Sequence, residues 1–195
     1  MAFPGENDYR AERLALLATI ESLTDEEFDH GTTLCAGWAP RDVVAHLMGI
    51  DSELGAYVRA LGQINKANDE IVQKARALDR PAVMARLRTW ANSPALTSRT
   101  IGLYLIADLA IHHQDILRGL GRTREVPKPA SDAILREGAL LGLGKLRHHR
   151  VVPNDGGRSF GRGDVVSGTS EALGMWLCGR EAVADELVFT GAITD

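Results

Sequence analysis

At 195 residues, with 45% apolar and 25% charged side chains, the chain has the make-up of one globular domain, or of a domain with a small appendage. A formal charge of -4 leaves no basic field to hold nucleic acid or an anionic membrane. No apolar run approaches the ~20 residues of a membrane-spanning helix, and the polar start MAFPGENDYRAER has no signal-peptide core, so a cytoplasmic location is expected.

The elements follow in chain order. Leu16, Leu17, Ile20 and Leu23 predict a first helix from about Asp8 to Leu23. Thr24-x-x-Glu27 predicts a capping box opening a short helical turn. His30–Trp38, HGTTLCAGW, reads as a connection with His30 in a turn. Pro40 and Asp42 suit the first turn of a second helix, Pro40 to Leu61, with Val43, Leu47, Ile50, Leu54, Tyr57, Val58 and Leu61 inward and His46 at the edge of that stripe. Residues 63–78 make a third, more polar helix, and Asp79-Arg80-Pro81 starts a further short one that Asn92-Ser93-Pro94 breaks.

Ile101–Leu120, IGLYLIADLAIHHQDILRGL, is the most periodic stretch. It predicts one helix with Asp108, His112 and Asp115 on a single stripe beside the apolar face. After the linker Gly121–Pro129, Ala130–Arg147 reads as the last long helix, its three glycines suggesting close packing. Beyond it, Val151-Val152-Pro153 and Asp164-Val165-Val166 read as extended. Thr169 caps a short helix to Cys178, Gly179 stops it, and Leu187-Val188-Phe189 reads as a final strand. The expected fold is all-α: an antiparallel four-helix bundle over residues 1–147, with a small α+β extension, 148–195, packed on it.

Ionisable groups beside a core-facing surface need compensation. Two histidines and a carboxylate from two helices, His46 with Asp108 and His112, are a recurrent ligand set for a divalent metal with open coordination positions. The alternative is a buried hydrogen-bond network in which the two histidines pair with Asp108 and Asp115. Asp115 would orient a ligand histidine or pair with Arg118 or Arg122. His113 points toward the apolar face and reads as a packing residue. His148 and His149, between Arg147 and Arg150, read as a solvated basic patch. Cys35 and Cys178 have no CxxC spacing and read as small buried hydrophobes. The sequence indicates no histidine beside Cys35 to make it a nucleophile. Trp38, Trp90 and Trp176 read as packing residues, and the glycines at 156, 157, 161 and 163 form no phosphate-binding pattern.

Three segments together resemble one family. Cys35-Ala36-Gly37-Trp38, followed by Asp42 and His46-Leu47, is similar to its C-x-G-W-x-x-x-D-x-x-x-H-L entry to the second helix. Asp108, His112 and Asp115 are similar to its carboxylate-x-x-x-H-x-x-D. Val166-Ser167-Gly168 with Leu177-Cys178-Gly179-Arg180 is similar to its C-terminal V-x-G and L-x-G-R. The family is the mycothiol-dependent maleylpyruvate isomerases within the DinB/YfiT-like metalloproteins. The resemblance implies a DinB-like bundle holding a divalent metal through His46, Asp108 and His112. Zinc is the expected ion, with nickel, iron and manganese as alternatives. It implies mycothiol as cosubstrate and places Arg180 near substrate. The chain is then expected to be a metal-dependent isomerase or thiol S-transferase, monomeric or homodimeric. Its partners would be a low-molecular-weight thiol and a small-molecule electrophile. A binding or regulatory module and a metal-dependent hydrolase are the alternatives. Two departures stand out. The characterised isomerase has Glu where this chain has Asp108, one methylene shorter, and the C-terminal part is expected to be shorter than the isomerase's.

Overall fold

A computed structural model describes residues 2–52, 64–93 and 95–191. Contacts group the chain into two units. The first is residues 1–105 with 112–124, and the second is residues 106–111 with 125–195. The chain is mostly helical, with a four-strand mixed sheet in the second unit. No described helix is long and apolar enough to cross a membrane.

The first unit opens with α1, Glu6–Glu21, whose Leu16, Leu17 and Ile20 face inward. Gly5 precedes it at φ 74°, where a Cβ would also sit 2.7 Å from the Leu103 Cα, so both conformation and space require glycine. The predicted capping box opens α2, Asp25–His30: Glu27 N–H donates to Thr24 Oγ1 at 3.1 Å, and Thr24 N–H to Glu27 Oε2 at 2.9 Å. His30 is therefore the last residue of a helix rather than part of a turn.

Next come α3, Pro40–Ser52, α4, Ile64–Arg76, and α5, Arg80–Asn92. The predicted run of the second helix on to Leu61, with Leu54, Tyr57 and Val58, lies outside the described residues. Asp79 caps α5 by accepting from Ala82 N–H at 2.9 Å. After α6, Leu96–Thr100, the helix α7 covers Gly102–Gly119, as its periodicity predicts. Leu16, Ile20, Phe28, Val43, Val44, Leu87 and Ile116 lose all solvent contact, each worth ~1.5–3 kcal/mol of burial. Arg13 is buried with them, its guanidinium 4.3 Å from the Trp90 ring centre and 5.2 Å from that of Tyr9. The two π-faces offset part of its desolvation.

The second unit holds α8, Lys128–Leu141, and α9, Leu143–Leu146, where the sequence predicts a single helix to Arg147. Gly142 breaks it, at φ -88° and ψ 20°. Glycine is a poor helix former, and Leu140, Leu141 and Leu143 are exposed, so little apolar burial opposes the break. The close packing predicted from the glycines is present. Gly138 lies against Gly174 of α10, Ser170–Leu177, where a Cβ on Gly138 would be 2.7 Å from the Gly174 carbonyl oxygen.

The sheet runs β2-β1-β3-β4. β1, His149–Pro153, and β3, Asp164–Gly168, are parallel, with Val151 opposite Val166. β2, Phe160–Gly161, and β4, Val188–Thr190, flank them antiparallel. Thr169 caps α10 by accepting from Ala172 N–H at 3.1 Å, and Gly179 ends it at φ 88°, both as predicted. The two-residue β2 has no alternating pattern to reveal it.

Candidate metal centre

The helix α7 carries three of the residues in question. Asp108 precedes His112 by one turn of the same continuous helix, and Asp115 follows by three residues. His112 Nδ1 lies 3.0 Å from Asp115 Oδ2, and the Asp115 side chain has no solvent exposure. The structure shows the histidine contact expected of Asp115, and Arg122 pairs with Glu27 at 2.6 Å. A carboxylate only accepts, so it fixes the proton on Nδ1 and leaves the lone pair at Nε2.

His46 enters from α3. Asp42 steers the first turn of that helix: its carboxylate accepts from Ala39 N–H at 3.1 Å and takes two bonds from Arg76, at 2.9 and 2.7 Å. One turn on, His46 is buried, and its Nδ1 lies 3.1 Å from Asn68 Oδ1 of α4. With the amide oxygen accepting, this ring also turns its lone pair to Nε2. The His46 and His112 rings meet edge to face, with centres 4.9 Å apart, and the Trp38 ring lies 5.4 Å from the first and 6.4 Å from the second. Trp38, expected as a packing residue, covers both imidazoles.

One ligand atom each from His46, Asp108 and His112 lie within 4.8 Å of one another. Three ligands of one ion at ~2.1 Å stand roughly 3.4–3.6 Å apart, so from an upper limit of 4.8 Å the set closes by at most about 1.4 Å to hold one. Neutral imidazoles with Nε2 presented, plus a carboxylate, are the donor types a divalent first-row metal takes. The residues present therefore fit such an ion. The shorter Asp108 side chain still brings a carboxylate oxygen within 4.8 Å of a nitrogen on each imidazole.

Sequence reasoning missed Cys35. Its Sγ lies 3.4 Å from His112 Nδ1 and donates to Asp115 Oδ2 at 3.1 Å. The thiol therefore does have a histidine beside it, contrary to expectation. The reason is long-range docking of the 31–35 segment on α7. Leu34 N–H donates to Asp115 O at 3.0 Å, and Thr32 Oγ1 to Gly119 O at 2.5 Å. Gly119 permits the approach, since any Cβ there would collide with the Thr32 carbonyl. Thr33 Oγ1 then ties the turn, accepting from Cys35 N–H at 3.1 Å and donating to Trp38 O at 2.8 Å. One signal was in the sequence: Cys35 opens the same motif that ends in His46.

Cys35 and Trp38 help to line an open cleft of about 540 Å³ with Thr33, Arg41, Asp42 and Arg76. A larger apolar cavity of about 700 Å³ lies among Met48, Ile71, Val83 and Trp90; neither wall includes His46, Asp108 or His112, but only the smaller one holds Cys35 and Trp38, which touch those histidines. The chemistry therefore points to the smaller cleft.

His113, next to His112, serves a different purpose from simple packing. It is fully buried, its Nδ1 bonded to Glu12 Oε1 and its Nε2 to Thr19 Oγ1, both at 2.8 Å, while Arg124 also pairs with Glu12. Burial pushes the His113 imidazole down, with the Glu12 bond opposing it in part. For Glu12, burial acts upward, but the His113 bond and the Arg124 charge outweigh it and hold the carboxyl below its usual range. Arg180 lies in the second unit, where its guanidinium donates to Cys178 O at 3.1 Å. His149 is not merely solvated: its ring stands edge-on to Trp176, centres 5.2 Å apart, and Nδ1 lies 3.1 Å from Lys145 O.

Residues 9–94 match the family of the mycothiol maleylpyruvate isomerase N-terminal domain. They belong to that family. The chain is similar to the crystal structure of a mycothiol-dependent maleylpyruvate isomerase, with a TM-score of 0.70 at 14% identity, over 98% of this chain and 94% of that one. A histidine-to-alanine mutant of that isomerase matches over the same shares, with a TM-score of 0.69 at 14% identity. At such identity the likeness shows the fold. The match reaches 94% of the isomerase, so the expected shortening of the C-terminal part does not hold. No curated protein sequence matches the chain.

Proposed function

We propose that the chain is a metal-dependent enzyme of the thiol-using isomerase or S-transferase type. It would act on a DinB-like bundle, with mycothiol or a similar low-molecular-weight thiol and a small electrophile as partners. The observation that carries this reading is the pair His46 and His112. Each Nδ1 is held by a side-chain oxygen, and both rings gather with Asp108, one ligand atom from each within 4.8 Å of the others.

His46, Asp108 and His112 would hold the ion, with zinc first among the candidates. Once bound, it supplies Lewis acidity that favours the thiolate form of an incoming thiol. The remaining work belongs to the chain. Asn68 and Asp115 keep the imidazole protons on Nδ1, so both rings would offer Nε2 as neutral donors. Trp38 lies against both rings and limits water there, which strengthens the electrostatics of the site. The cleft beside Trp38 admits the electrophile, and Arg180 is the proposed contact for substrate carboxylates.

The test begins with elemental analysis of purified and zinc-reconstituted protein. One ion per chain is expected, and His112→Ala should lose it. Turnover of candidate electrophiles, with and without added mycothiol, then decides the chemistry. Thiol-independent hydrolysis supports the hydrolase reading. Absence of bound metal after reconstitution refutes every metal-dependent one.

A further inference from the structure

We propose that Cys35, His112 and Asp115 form a second seat for a thiophilic divalent cation, one that competes with the His46–Asp108–His112 set for a single imidazole. The proposal rests on the metal reading of His112 and on no activity.

The three donor atoms make a closed triangle: Sγ to Nδ1 3.4 Å, Sγ to Oδ2 3.1 Å, and Nδ1 to Oδ2 3.0 Å. Ligands of a tetrahedral zinc ion at ~2.0–2.3 Å lie roughly 3.3–3.8 Å apart. The observed triangle is a few tenths of an ångström tighter than one face of that tetrahedron. That is the expected size when protons, rather than an ion, link the three atoms. Thiolate, imidazole and carboxylate together suit zinc, cadmium or cobalt better than a hard cation.

The seat is preformed. Leu34 N–H is tied to Asp115 O on one side of Cys35, and Thr33 Oγ1 bonds Cys35 N–H and Trp38 O. It is also reachable, because Cys35 borders the 540 Å³ cleft, which leaves room for a fourth ligand from solvent. Asp115 is fully buried, so both bonds it gives up in taking the ion would be replaced by one stronger contact.

Competition follows from proton bookkeeping. A neutral imidazole has one lone pair. When His112 serves with His46 and Asp108 through Nε2, its proton sits on Nδ1 and is held by Asp115. When it serves with Cys35, Nδ1 carries the lone pair and the proton moves to Nε2. Filling the second seat thus releases the Cys35 thiol proton to solvent and shifts the imidazole proton across the ring. One ion per chain is allowed, and its chemical softness selects the seat.

The test removes the first set and reads the sulfur. His46→Ala protein, checked for native far-UV circular dichroism, is loaded with cobalt(II) and separately with cadmium(II). One cation per chain is expected, with a thiolate-to-metal charge-transfer band that disappears in His46→Ala/Cys35→Ser and persists in His46→Ala/Cys178→Ser. Cadmium should also slow iodoacetamide alkylation of Cys35, read by mass spectrometry, by tenfold or more. A His46→Ala protein that binds no cation, binds without the band, or keeps the band after loss of Cys35 overturns the proposal. So do two ions per wild-type chain, since the seats would then not compete. Cys35→Ser alone keeps the two readings apart. If it retains a cation while His46→Ala does not, the second seat falls and the proposed function stands. If His46→Ala retains one while Cys35→Ser does not, the reverse holds.

Discussion

Replacing Glu12 with Gln should be among the most damaging single changes away from the candidate metal centre. Glu12 is 3% exposed and accepts from His113 Nδ1 at 2.8 Å and from both terminal nitrogens of Arg124. His113 is satisfied on its other side by Thr19. Gln keeps one acceptor but presents an amine where a second donor already points, and it leaves the Arg124 guanidinium without its counter-charge. Breaking a buried ion pair by removing one partner costs ~3–5 kcal/mol. The Arg124 side chain keeps 17% exposure and can recover some hydration, so the lower end, ~3 kcal/mol, applies. For a chain of this size that is a fall in melting temperature of roughly 6–12 °C. The pH dependence has a definite sign. The Glu12 carboxyl is held below its reference value of 4.5, so its contribution is complete above about that pH and is lost as pH falls through the lower folded value. Wild type should therefore destabilise on acidification in that window, and Glu12→Gln should show a flatter profile there. Urea titrations at neutral pH and across the acid range measure both. A loss below ~1 kcal/mol at neutral pH refutes the assignment of a tightly coupled buried pair.

Asp115→Asn should weaken metal binding by roughly 10–100-fold with little change in fold, because the neutral amide lacks the charge that makes the His112 ring a more basic ligand; competition with a chromophoric chelator measures it. Gly174→Ala should destabilise by ~2 kcal/mol, since its Cβ would meet the Ile134 carbonyl carbon and oxygen at 2.6 Å, backbone that cannot yield, and overpacking outweighs the gain in helix propensity. Asp155→Asn should cost about 1 kcal/mol by weakening its bonds to Ser170 N–H and Oγ at the start of α10, read by thermal denaturation. Burial opposes ionisation of Asp155, but those bonds outweigh it and lower its pKa from 3.8, so wild type should lose this increment only as pH falls below about that value.

The helices were legible wherever a local rule acts within a few residues. The Thr24–Glu27 box, the Asp79 and Thr169 caps and the Gly179 stop each use one side chain and its nearest backbone. The α7 stripe was legible because helical spacing alone decides which side chains share a face. The break at Gly142 was not, because three glycines in an apolar helix are equally consistent with close packing. Gly138 does pack, against Gly174, while Gly142 ends the helix. The strand β2 is two residues long and is held by partners on β1, which no local pattern encodes.

The candidate site divides along the same line. His112, Asp108 and Asp115 lie on one helix, so their association needed only a helical pitch. His46 needed two helices to face each other, and the family resemblance supplied that expectation. Cys35 needed more: a non-helical segment laid along α7 by bonds from the Leu34 amide and the Thr32 hydroxyl to positions more than eighty residues away. Nothing in HGTTLCAGW announces where its carbonyls and amides will dock. The same fact explains why Cys35 is the informative residue to perturb. The His46 side of His112 is fixed by helices that many apolar contacts hold in place, whereas the Cys35 side depends on a handful of hydrogen bonds to α7. Substituting Gly119 with Ala, which must push the Thr32 carbonyl away, should therefore separate the two. Binding through His46, Asp108 and His112 should persist, while the cadmium protection of Cys35 should be lost. Loss of both together would mean that the loop and the helices hold the site as one unit, and that the two donor sets are not independent.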